Sequence, residues 1–125
     1  MRYSSSYESY DSINSLLGKT LERVNVVEDD SGQDEIHFYT DCGLHFTMTH
    51  VQNCCENVWL EDVVGDWDDL IGYPILVAEE VVSEDRSPTW TFYKLATIKG
   101  YVDLRWCGDS NGYYSEAVNF MRQED

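Results

Sequence analysis

The segment His50-Val51-Gln52-Asn53-Cys54-Cys55-Glu56 gathers the residue types best suited to hold a metal ion. Thiolate sulfur beside imidazole nitrogen suits Zn²⁺, which takes four tetrahedral ligands. The spacing from His50 to Cys54 lets one loop wrap a single ion. Successive side chains in an extended chain point apart, so a turn over Asn53 to Glu56 is needed to aim both cysteines at one metal. The fourth ligand has to come from Cys107, Cys42, His45 or a nearby carboxylate, and Cys107 is carried as the candidate. Such a zinc would be structural, tying the 50–56 loop to the rest of the chain. The alternative is that Cys54 and Cys55 pack as small apolar groups, with His50 at the surface.

Three other constellations are weaker. Glu61, Asp62, Asp66, Asp68 and Asp69 cluster carboxylates that could take Mg²⁺ or Ca²⁺. Counted from Asp66 as the start of an EF-hand loop, however, Ile71 and Val77 fall where that loop needs Gly and Glu. A solvated helix cap is the better reading. Gly108 to Glu116 offers hydroxyls, amides and aromatics in one stretch, suited to a ligand loop but better to a Gly/Asn turn. Cys54 with His50 could form a nucleophile pair, but the surrounding negative charge disfavours the thiolate. No catalytic triad is evident, and an enzyme is not expected.

The charge is lopsided. The chain of 125 residues holds 24 Asp and Glu against 8 Lys and Arg, a net −16. Between Arg23 and Arg86 there is no Lys or Arg, while sixteen carboxylates fall there. That balance excludes phosphate-gripping nucleic-acid binders and anionic-membrane binders, and favours a basic partner. Hydrophobic content of 42% and aromatic content of 14% are too high for a disordered acidic tail. No apolar run approaches a membrane span, and the Ser/Tyr-rich start lacks a signal-peptide core. Without such a signal the four cysteines are expected as reduced thiols.

The elements that must position these residues are mostly strands. Residues 1–12 are expected as a flexible arm and 13–125 as a single globular domain. Ser12 caps a short helix over Ile13 to Leu17, stopped by Gly18. Alternation predicts strands over 20–28, 34–40 and from Leu44 through Met48, read as an antiparallel meander. Val58, Leu60 and Val63-Val64 mark a fourth strand. Asp66 to Gly72 reads as one capped helical turn. Pro74 to Val82, Trp90 through Leu95, Tyr101 to Cys107 and Tyr113 to Met121 complete the set. The last two are joined by a turn at Gly108 to Gly112. The expected fold is mainly β (α+β), an antiparallel sheet of about seven or eight strands with one or two short helices.

Several segments carry a family likeness. They are Leu17-Gly18-Lys19-Thr20, His50-x-x-x-Cys54-Cys55-Glu56, Glu61 to Asp66, Trp90-Thr91-Phe92-Tyr93-Lys94-Leu95-Ala96-Thr97-Ile98-Lys99-Gly100, and Arg105-Trp106-Cys107-Gly108 through Glu116. Together they resemble a family of small proteins of unknown function from tailed phages and prophages. The resemblance implies a phage accessory protein in the cytoplasm of a bacterial host. By analogy with small acidic phage proteins that occupy nucleic-acid channels, it implies an anti-CRISPR type of host defence evasion.

These readings converge on a binding inhibitor. Its partner would be a basic host protein, a nucleic-acid-binding nuclease such as Cas9, met by Glu61, Asp62, Asp66, Asp68 and Asp69. The alternative is a small zinc-dependent enzyme or ligand-binding domain around His50, Cys54 and Cys55. On charge alone the chain should give no gel shift with DNA or RNA at submicromolar protein and ~150 mM salt, where charges are screened beyond about 8 Å. A shift under those conditions would refute the electrostatic argument.

Overall fold

The structure, a computed structural model, describes residues 11–28, 33–83, 88–110 and 114–123. Eight strands follow one another among them: β1 (Leu21–Val27), β2 (Glu35–Thr40), β3 (His45–Thr49), β4 (Asn57–Gly65), β5 (Val77–Ser83), β6 (Thr89–Ala96), β7 (Tyr101–Asp109) and β8 (Asn119–Gln123). Two four-residue 3-10 turns, Ile13–Leu16 and Trp67–Leu70, are the described helical elements. The mainly β, antiparallel expectation therefore holds, with the strands divided between two sheets. One sheet has the order β1-β2-β3-β8 and the other β4-β7-β6-β5.

The first sheet begins with the meander that the alternation predicts. Ile36 and Phe38 of β2 pair with Met48 and Phe46 of β3, and these four side chains are buried. The turn from β2 to β3 needs Gly43 at φ +92°, with its N–H on the Thr40 carbonyl. β8 then pairs with β3, putting Phe120 opposite Met48 and stacking it on Phe46 with centroids 5.2 Å apart. In the second sheet β5, β6 and β7 form another meander, and β4 closes on the free edge of β7. The inward side chains of both sheets, among them Leu60, Tyr93, Leu95, Leu104 and Trp106, join Ile36, Phe38, Met48 and Phe120 in one core cluster.

Local chemistry sets the 3-10 turns. The Ser12 hydroxyl accepts the Asn14 N–H, and the Asp66 carboxylate accepts the Asp68 N–H at 3.0 Å. Both turns are shorter than the sequence suggests, because each runs into a segment bound elsewhere. Gly18 N–H bonds the Ile75 carbonyl, and Gly72 N–H bonds the Leu21 carbonyl.

Two expectations change. β8 starts at Asn119, well past Tyr113, which lies outside the described residues, as do Asn111 and Gly112. Before β8, Glu116 turns to the start of β6 and the end of β7 instead: its Oε1 takes the Thr89 N–H at 3.0 Å, and Ser110, just past β7, bonds the other carboxylate oxygen. Gly108 and Asp109 still belong to β7, and since β7 and β8 lie in different sheets, the connection after them is a crossing between sheets and not a hairpin turn. Of the expected N-terminal arm, residues 1–10 lie outside the described residues. Asp11 is bound to β8 through the Phe120 carbonyl and the Arg122 N–H.

Gly65 is the tightest backbone point. It has φ +116°, and a Cβ there would sit 2.3 Å from the Tyr101 carbonyl oxygen. Gly43, also left-handed, would meet nothing within 4 Å. Gly65→Ala should therefore cost well over about 2 kcal/mol in urea unfolding, and Gly43→Ala about 1–2 kcal/mol from backbone strain alone. Equal costs would mean that β4 shifts freely at its end.

Candidate functional site

The chain passes between the sheets twice, over residues 50–56 and again over 110–118. His50 stands where the two passages meet. Its Nδ1 lies 2.6 Å from the Ala117 carbonyl oxygen, and its Nε2 lies 2.7 Å from Glu56 Oε2. Both ring nitrogens face acceptors. For both contacts to be hydrogen bonds both must carry hydrogen, so the geometry calls for an imidazolium paired with a carboxylate. Neither partner meets solvent: His50 is 2% exposed and Glu56 1%. The Val51 N–H, bonded to Asn119 Oδ1 at 3.0 Å, ties the first passage to the start of β8 as well.

Glu56 is satisfied on every side. Its Oε2 also accepts the Asn53 N–H at 2.7 Å, and its Oε1 accepts the Cys54 N–H at 3.0 Å. The Gln52 amide closes the loop on the Glu56 carbonyl at 2.6 Å. Burial works to raise the Glu56 carboxyl. The Asn53 amide, the His50 ring and the amides of Glu56 and Cys54 outweigh it and hold the pKa down to about 2.

This arrangement does not fit a zinc ion. Cys54 and Cys55 are exposed and joined to each other as a vicinal disulfide, not held as two thiolates. Both ring nitrogens of His50 are already turned to the acceptors of Ala117 and Glu56. Cys107 sits on β7 between Trp59 of β4 and Trp90 of β6 by register. There it is buried as a free thiol, pushed up by burial and by the carboxylates of Glu61, Asp109 and Glu116. Cys42 is free too, and exposed at the β2–β3 turn. Reduced thiols thus describe Cys42 and Cys107 but not the vicinal pair. The described residues contain no group of three or more His, Cys, Asp or Glu placed to hold a metal.

The acidic set falls along β4 and the second 3-10 turn. Glu61, Asp62, Asp66 and Asp68 are exposed, and Asp69 is half-buried. Some have local work. Glu61 accepts the Trp59 indole N–H at 2.6 Å, Asp66 caps the 3-10 turn, and Asp62 lies 3.6 Å from Arg105 across to β7. The Asp69 side chain lies over Gly100, where a Cβ would sit 2.6 Å from its carboxylate, and its carbonyl takes the Thr97 hydroxyl.

The sequence did not signal the outer face of the second sheet. There a groove of about 360 Å³ is lined by Asp62, Val64, Glu79, Phe92, Lys94 and Arg105, among others. It could have been found by laying out β4 to β7 in register. Asp62, Arg105, Phe92 and Val81 form one cross-strand row, and Val64, Asp103, Lys94 and Glu79 the next.

Residues 14–120 match the family model of a domain of unknown function, DUF7448. No curated protein and no solved structure matches the chain. Among the described residues no helix is long and apolar enough to cross a membrane.

The depressed Glu56 carboxyl sets a pH signature. Unfolded, it titrates near its ordinary 4.5; folded, near 2. Its contribution to stability is whole above the unfolded value and is lost as pH falls from about 4.5 toward about 2. Glu56→Gln should be less stable than wild type at neutral pH, and the gap should close across that interval. Urea titrations of both proteins from neutral to acid measure it. A gap that stays constant with pH would mean that the carboxylate charge does not hold the loop.

Proposed function

The chain belongs to the DUF7448 family, whose description carries no activity, and we propose that it is a binding protein and not an enzyme. In this reading it is a phage accessory protein that blocks a basic, nucleic-acid-handling host protein such as Cas9. The observation that carries the reading is charge segregation. Sixteen carboxylates and no Lys or Arg fall between Arg23 and Arg86. In part they stand exposed along β4 and the turn after it, where among the described residues only Asp62 of Glu61, Asp62, Asp66, Asp68 and Asp69 has a basic partner. A surface of one sign steers a complementary partner and speeds association at low salt. Grooves that hold a phosphate backbone supply that complement. The resemblance to small phage and prophage proteins supports the host-directed part of the reading.

A second reading, a ligand-binding domain, is favoured by the groove on the second sheet. It combines apolar Val64, Val81 and Phe92 with charged Lys94, Arg105 and Glu79. Structural zinc at His50, Cys54, Cys55 and Cys107 forms no part of either reading.

The test is charge reversal that spares the turn cap and the carboxylate packed on Gly100. Asp66 caps a turn and Asp69 packs on Gly100, so the informative variant is Glu61→Lys/Asp62→Lys/Asp68→Lys. It should keep the wild-type fold by circular dichroism. It should weaken inhibition of DNA cleavage by an RNA-guided nuclease more than tenfold, with the loss mainly in association rate. Wild-type protein that leaves cleavage untouched would reject the nuclease as target. Undiminished inhibition by the folded variant would reject the acidic side as the working surface.

A further inference from the structure

The outer face of the first sheet carries two histidines that play no part in the crossing at His50. In the β2–β3 register His37 faces Thr47 and Tyr39 faces His45, so the two imidazoles stand diagonally on one face. The twist of an antiparallel pair closes one diagonal. Here it brings His37 Nδ1 to 2.8 Å from His45 Nε2. On the other side of the His37 ring, Nε2 lies 2.9 Å from Glu35 Oε1. A carboxylate accepts, so His37 Nε2 carries the hydrogen, and Nδ1 of the neutral ring turns its lone pair toward His45. The Thr47 hydroxyl lies 3.2 Å from the same Nδ1. His45 is steadied by stacking on Tyr39, with centroids 4.4 Å apart, and the Arg23 guanidinium lies 4.0 Å from the Tyr39 centroid.

We propose that His37 and His45 form a two-imidazole site for a divalent first-row transition ion, with Glu35 as the carboxylate behind the ligand. Imidazole suits Zn²⁺, Ni²⁺ and Cu²⁺, and a ligating histidine characteristically gives its second N–H to a carboxylate or carbonyl. His37 with Glu35 already has that arrangement, tautomer included. The ion takes the place of the hydrogen between the rings. His45 gives up the hydrogen on Nε2, to its own Nδ1 or to solvent, and both lone pairs then face one point. Metal–nitrogen bonds of about 2.0–2.1 Å at a tetrahedral angle set the nitrogens about 3.3 Å apart. The rings therefore open by about half an ångström from the observed contact, within reach of small side-chain rotations. His37 is 20% exposed and Glu35 37%, which leaves the outer coordination positions to water. The site differs from the His50–Cys55 loop and does not depend on the function proposed above.

The test titrates the chelator-treated full chain with Zn²⁺ alone and Ni²⁺ alone by calorimetry, with histidine side-chain NMR as a second readout. One ion should bind per chain. Ring signals of His37 and His45 should move while those of His50 stay. His37→Ala and His45→Ala should each weaken binding at least tenfold, and Glu35→Gln about tenfold. Cys42→Ser/Cys54→Ser/Cys55→Ser should leave it unchanged. No binding by wild type at about 1 mM metal would overturn the proposal. So would binding that survives both histidine substitutions, or that disappears with the cysteines. If a histidine variant fails to fold, the ring signals of wild type decide: movement at His50 in place of His37 and His45 overturns the assignment.

Discussion

Both passages of the chain between its two sheets are pinned at one buried ring. His50 holds the returning strand through the Ala117 carbonyl and the outgoing loop through Glu56. A two-sheet fold needs such a point. Each sheet satisfies its own backbone internally, but the crossings leave N–H and C=O groups without ladder partners. A lone buried carboxylate would be costly there, and so would a lone buried imidazolium. Together, with amide donors on the remaining oxygen lone pairs, they satisfy each other and fix the angle at which β4 leaves β3. Removing either would strand the other in the core margin.

The same device recurs at two further buried carboxylates. Asp34 Oδ2 takes the Leu60 N–H at 2.9 Å, beside the register shift between Leu60 and Asp62, and so joins the start of β2 to β4. Glu116 joins the approach to β8 with the start of β6. The Leu60 and Thr89 amides and the Ser110 hydroxyl reach these two carboxylates. Donors of this kind help a chain poor in Lys and Arg to bury acids. The carboxylates divide into two populations: a few that are buried and capped by backbone, and a larger exposed one that keeps its negative field.

The sequence showed what is local. Alternation placed β1 to β3, and Ser12 and Asp66 announced the two 3-10 turns as caps. Period two marked the first three strands and the start of the fourth. Long-range pairing stayed hidden. Nothing in Gly108 to Gly112 marks it as a sheet crossing, because Gly and Asn serve a hairpin equally well. The contacts inside the 50–56 loop stayed hidden for a related reason. His50 and Cys54 have metal-ligand spacing, but Glu56, which captures both the ring and the loop amides, looked like one more acidic residue. His37 and His45 lie far enough apart in sequence that only the β2–β3 register brings them together.

The exposed acids on β4 admit two explanations, and their extent separates them. β4 is an edge strand, and charges there discourage pairing with another chain. Glu61 and Asp62, beside the register shift that already distorts the edge, are enough for that purpose. The acidity does not stop where the strand stops. Asp66 and Asp68 carry it onto the 3-10 turn, which has no ladder edge to protect. At the other edge of the sheet, β5 exposes Val81 and Val82 next to Glu79 and Glu80, so edge protection is not applied evenly. A field that continues past its structural need on one side, at the cost of self-repulsion in the folded state, is the feature that the proposed basic partner would have to complement.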